Sequence, residues 1–183
     1  LHRCDFLQQE QIESLAASIR ARHRSLRDVI HNASDWLPDD HSLPVSEILQ
    51  RMMKVHVSAP YQLNLSLAPL LEASENVHAD IIHVGDYVSS RGSKKHIAYA
   101  ASKAAQDNLT FSFSAKLGPK VKVNSVAPAL VLFNEGDDEK YQSRALEKSL
   151  MRKEGGVDEF QRAVDYLLSS HYVTGRILPM DGG

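Results

Sequence analysis

Ala79-Asp80-Ile81-Ile82-His83-Val84-Gly85-Asp86, continued by a helix-forming run from Ile97 to about Leu117 and by Val121 to Ala127, is the stretch that decides the fold. The first segment reads as an apolar strand ending at Gly85-Asp86, and a polar loop from Ser89 to His96 separates it from the helix. Gly118-Pro119 stops that helix, and Pro128 breaks the strand that follows. A strand, a helix and a second strand, with the strands apolar throughout, predict a parallel sheet covered on both faces. Working outward toward the amino end, Ile12, Leu15, Ala16 and Ile19 lie on one face of a helix from Gln9 to His23, closed by Ser25. Leu26 to His31 reads as a strand leading into the small polar turn Asn32-Ala33-Ser34, and Leu1 to Phe6 as the end of another strand. Pro44 opens a helical region through Val57, which Pro60 bends or restarts before Leu63 to Leu71. Toward the carboxyl end, Asp137 to Leu150 is helical, Gly155-Gly156 is a turn, Val157 to Ser169 is a helix, and Arg176 to Met180 is a short strand.

With 183 residues, 43% of them hydrophobic, the chain is the size of one domain, 1–183, and can bury a core. Its 21 basic and 23 acidic residues are dispersed and leave a net charge of -2, so no electrostatic footprint points to nucleic acid or an anionic membrane. A small neutral or anionic ligand is the expected partner. The single cysteine, Cys4, permits no internal disulfide and reads as a small buried hydrophobe, as expected of a reducing compartment. No apolar run of membrane-spanning length occurs, and the expectation is a soluble cytoplasmic protein.

Ligands of parallel sheets lie outside the carboxyl ends of the strands, which directs attention to Asn32–Trp36, Gly85–Tyr87 and Pro128–Phe133. Tyr99 and Lys103, one helical turn apart, can point into the same pocket, where the cation would favour the phenolate. Asp86 lies thirteen residues before Tyr99. Bland alternatives stand beside each: a solvated lysine near a packed tyrosine, a turn aspartate, and in Trp36 a packing residue. His31, His56, His83 and His96 lack metal-ligand spacing and read as polar groups satisfied within the fold, so no metal is expected. The pair Met52-Met53 reads as core.

Several ordered motifs resemble the short-chain dehydrogenase/reductase family over essentially the whole chain. Asn32-Ala33-Ser34 is similar to its cofactor-side Asn-Ala-Gly turn, and Tyr99-Ala100-Ala101-Ser102-Lys103 to its active-site helix. Asn124 to Pro128 is similar to the strand leading to the nicotinamide, and Thr174-Gly175 with Asp181-Gly182-Gly183 to its carboxyl-terminal signature. The resemblance implies a Rossmann-like, doubly wound α/β fold. It also implies that the family's amino-terminal strand, glycine-rich turn and second strand are missing here, leaving the chain incomplete at that end. Asp86 stands where most of the family has serine, as in the pteridine and dihydromonapterin reductases, which also share the Asn-Ala-Ser turn followed by an aromatic residue. His56 replaces a structural asparagine and Ala129 a glycine.

By this resemblance the cofactor is NADPH, held by Asp5 at the adenine, by Asn32, Ala33 and Ser34, by Tyr99 and Lys103, and by Pro128, Leu130 and Val131. The substrate is a dihydropterin bound by Ser34, Trp36, Asp86 and Tyr99, with Trp36 as stacking platform. Asp86, Tyr99 and Lys103 are catalytic, Asp86 passing on a proton if burial raises its pKa. Phe111-Ser112-Phe113-Ser114 would meet its copy in a homotetramer. A carbonyl reductase acting on a non-pterin ketone and a noncatalytic, oligomer-forming relative remain the alternatives.

Overall fold

The computed structural model describes residues 1–183. Four parallel strands, β1 (Asp28–His31), β2 (Ala79–Val84), β3 (Val121–Pro128) and β4 (Arg176–Met180), form one sheet in chain order. Because strand side chains alternate, Ala79, Ile81, Val121 and Val123 face one side. There Leu71 of α3 (Ala59–Glu72) and Phe113 and Leu117 of α4 (Ile97–Leu117) close over them. Ile82 and Val126 face the other side and meet Val164 and Leu167 of α6 (Val157–Ser169). Helices on both faces of an all-parallel sheet give the doubly wound, Rossmann-like α/β class that the sequence predicts. α1 (Gln9–Arg22) lies outside α3, with Ile12 and Ala16 against Ala59, Leu63 and Leu67.

The apolar strands carry one buried ion pair. Asp80 and Lys122 are register partners on β2 and β3, 2.6 Å apart, and Lys122 Nζ also donates to the Leu167 carbonyl at 2.8 Å. Burial raises the Asp80 pKa, and the hydrogen bond from Lys122 opposes that rise.

Several boundaries differ from the sequence expectation. Leu1 to Phe6 is not a strand: no neighbour pairs it, and Asp5 turns the chain into α1, its carboxylate accepting the Leu7 N–H and its carbonyl the Gln8 N–H. β1 starts at Asp28, because the Leu26 N–H donates to Leu70 of α3 instead of a strand. Pro60 does not break the second helical region. It sits in the first turn of α3, and the missing N–H is accommodated by a π-helical turn at Lys54–Ser58 between α2 (Val45–Met53) and α3. The helix expected over 137–150 is only α5 (Glu139–Leu146), begun by Asp138, whose carboxylate accepts the Tyr141 N–H at 2.7 Å. Cys4 is half-buried, not fully buried.

Candidate active site

The carboxyl ends of β2 and β3 and the first half of α4 form the site. The start of α4 is fixed by a residue far away in sequence: the Asp39 carboxylate accepts the N–H groups of Ile97 (2.6 Å) and Ala98 (3.3 Å), satisfying donors the helix itself cannot. The helix then presses Ala98 and Tyr99 against Ile48 and Met52 of α2. Of the pair expected to be core, Met52 is fully buried and Met53 only half-buried.

The structure brings Asp86, Tyr99 and Lys103 together. Tyr99 Oη donates to Asp86 Oδ2 at 2.7 Å, and the other Asp86 oxygen accepts the Val88 N–H at 2.9 Å, which fixes the carboxylate. Lys103, 2% exposed, donates to the Val84 carbonyl at 2.8 Å and reaches Gln106 Oε1 at 3.5 Å. The cation therefore does not hold Tyr99 as phenolate, contrary to expectation. Burial first, then the charge and hydrogen bond of Asp86, push the Tyr99 pKa up, so the residue is a neutral phenol. Burial pulls Lys103 down to about 8, with the charges of Asp86 and Asp107 opposing. An ammonium has three donors, and two protein partners leave one for a ligand hydroxyl.

His56, fully buried in the π turn, is the hub behind this face. The Asp35 N–H donates to Nε2 at 3.2 Å, so Nε2 holds the lone pair and Nδ1 the proton. Nδ1 accordingly donates to Ser102 Oγ (2.8 Å), which donates to the Tyr99 carbonyl (2.7 Å), while the Ser34 hydroxyl meets Nε2 at 2.9 Å. One ring thus ties the Ser34–Asp35 loop to the Tyr99 helix. Burial lowers its pKa to about 3 and keeps it neutral. The sequence marks His56 as a departure, but nothing in it reveals these partners.

The remaining histidines expected to be satisfied within the fold have partners too. His31 bonds Asn64 (2.7 Å), Asn64 bonds His83 (3.2 Å) and His83 bonds Thr110 (2.7 Å); His96 Nδ1 meets the Leu37 carbonyl at 3.1 Å.

Of the residues assigned to the cofactor, Asp5, Ala33 and Ser34 border one open cleft of about 330 Å³, and Asn32 is exposed beside it. Leu130 and Val131 lie beyond Pro128, at the end of β3, and are braced from behind because their carbonyls accept the N–H groups of Gly155 and Gly156. Trp36 is 59% exposed, with one face stacked on the His96 ring at 4.0 Å; the opposite face is what it can offer a flat ligand. Two motif residues prove structural. Asn124 clips β4 to β3 by donating to the Val173 carbonyl (2.9 Å) and accepting the Arg176 N–H (3.0 Å). Gly175 adopts φ +64° where a Cβ would press on Ser114 Oγ at 2.7 Å.

A family described as enoyl-(acyl carrier protein) reductase matches residues 1–183. A dihydromonapterin reductase of Klebsiella pneumoniae is 51% identical over 179 residues, covering 98% of this chain and 75% of its own length, and that of Enterobacter sp. strain 638 is 52% identical with the same coverage. Among solved structures, FolM alternative dihydrofolate reductase 1 of Brucella canis, complexed with NADP, superposes with a TM-score of 0.84 at 23% identity over 98% of this chain and 70% of that one. The chain belongs to the short-chain dehydrogenase/reductase family.

Proposed function

We propose that the chain reduces a dihydropterin with NADPH, dihydromonapterin first and folate- or biopterin-type dihydropterins after it. The observation that carries the reading is the 2.7 Å hydrogen bond from the Tyr99 phenol to the Asp86 carboxylate. The dihydromonapterin reductases that are half identical to the chain support the substrate class. Reducing a ring C=N requires a hydride at carbon and a proton at the adjacent nitrogen; NADPH, when bound, supplies the hydride. The chain must deliver the proton. A phenol whose pKa is raised arrives protonated, and it would pass its proton by way of the Asp86 carboxylate it is bonded to onto the ring nitrogen, to be replaced from solvent after turnover. Lys103 would hold a ribose hydroxyl with its third donor. Asn32, Ala33, Ser34, Asp5, Pro128, Leu130 and Val131 would line the cofactor, and Ser34 and the free face of Trp36 the pterin.

No helix is long and apolar enough to cross a membrane. By its likeness to the dihydromonapterin reductases, we place the enzyme in the cytoplasm. Phe111 and Tyr61, exposed on α4 and α3, support a homotetramer built through that face. The test is NADPH oxidation by the full-length protein with dihydromonapterin and with simple ketones. Turnover confined to dihydropterins is the expected result, and turnover confined to ketones would make it a carbonyl reductase.

A further inference from the structure

Beside the catalytic pair opens a second cleft, of about 420 Å³, within the size range of small-molecule sites. It is continuous with the active site along the chain, because Tyr87 directly follows Asp86 and Ala129 directly follows Pro128. Its walls carry Tyr87, Arg91, Leu130, Tyr141, Lys148 and Asp181. The chain's four ion pairs engage Arg27, Arg51, Lys122 and Arg162, so Arg91 and Lys148 stand without carboxylate partners. Asp181 is turned to the chain's own end, its Oδ1 accepting the Gly183 N–H at 2.9 Å. Both tyrosines are substantially exposed. Two unpaired cations and two aromatic rings on one concave wall match a group that is flat near the pterin and anionic beyond it.

We propose that this cleft seats the substituent carried by the pterin ring, and that Arg91 and Lys148 hold the carboxylate of a folate-type dihydropterin, which lets the site accept it as a secondary substrate. The inference rests on the dihydropterin reading above and adds where a charged substituent would sit and which residues would hold it. Arg91 reaches the cleft from the turn after β2, and Lys148 from just beyond α5, so an anion between them is held from two sides.

The test compares kcat/KM for dihydrofolate with that for dihydromonapterin in the full-length protein and in Arg91→Gln, Lys148→Gln and the double variant. The ratio should fall roughly threefold in each single variant and about tenfold in the double, through KM and not kcat, since the contact is made equally in ground and transition states. Added salt should lower the same ratio in the wild type and leave it flat in the double variant. A ratio that does not move in the double variant overturns the proposal. If the wild-type protein reduces neither pterin, the functional reading fails on its own, and calorimetric titration with p-aminobenzoylglutamate still decides the cleft. Binding that the double variant loses upholds it, and no binding to the wild type overturns it.

Discussion

The first half of α4 and the segment from Leu130 to Met151 border the same site and are built in opposite ways. In the first, Tyr99, Ser102, Lys103 and Gln106 are buried and hydrogen-bonded, and the helix start is capped by Asp39. In the second, α5 contributes no buried residue, and Leu132, Tyr141 and Leu150 lie open. A proton donor must be held to a fraction of an ångström, whereas a wall that meets variable substituents needs only surface chemistry. The proposed function would place chemistry on the over-determined side and the proposed selection on the loosely held side, as expected where local stability varies across a fold.

The sharpest way to break this contrast is at Tyr99. Tyr99→Phe keeps the packing on Ile48 and Met52 but removes the proton, and turnover of dihydropterin should fall by about 10²–10⁴-fold while the protein stays folded. Circular dichroism beside steady-state rates checks both halves.

Next in size is His56. His56→Ala leaves the Asp35 N–H, Ser34 and Ser102 without their shared partner and opens a hole at a fully buried position, for a loss of roughly 3 kcal/mol in denaturant unfolding. The same truncation at Tyr141, on the loose side, should cost under about 0.5 kcal/mol.

Acid should act on the rigid side as well. His31 and His56 are held neutral by burial, with pKa values lowered to about 4 and about 3, and His83 is lowered in the same way. Below about 6.5 the unfolded chain takes up protons that the folded one refuses, so stability falls as pH drops toward 4, by about 1.4 kcal/mol per pH unit for each histidine. Asp80 and Asp107, raised by burial, oppose the loss where they titrate, because they gain protons earlier when folded. Unfolding midpoints across that range in wild type and His31→Gln, which lacks one of these groups, measure the slope.

The smallest effect concerns Lys103. Its pKa of about 8 predicts that kcat/KM for NADPH declines as pH rises through that value, when the ammonium is lost. Asp86 helps hold that proton, so Asp86→Ser should move the limb to lower pH. A limb unmoved by that substitution would separate Lys103 from the pair.

The parallel sheet and its helices were readable because period and helix-stopping residues are local signals, as with the strand expected over Val121 to Ala127, which runs one residue further to Pro128, or the helix stopped by Gly118. Asp86, Tyr99 and Lys103 were singled out by their resemblance to the family's active-site motifs, the one-turn spacing of Tyr99 and Lys103 being weak by itself, and the fold gathers the three side chains. The cap from Asp39, the partners of His56, the indole of Trp36 on His96 and the gathering of Arg91 with Lys148 join residues far apart in the chain, and no periodicity encodes them. The direction of the Tyr99 pKa was misjudged for a related reason. Spacing brought the ammonium near the ring but could not show that the Val84 carbonyl would accept its N–H, or that Asp86 would accept the phenol's O–H.

The central claim is that Asp86 and Tyr99 act as one proton-delivering unit, and a double-mutant cycle on dihydromonapterin reduction tests it most directly. With Asp86→Asn, Tyr99→Phe and the double variant in the full-length protein, the account predicts that each single loss is large and that the double variant is little worse than either single one. Losses that simply multiply, or an Asp86→Asn enzyme that retains wild-type turnover, would contradict it.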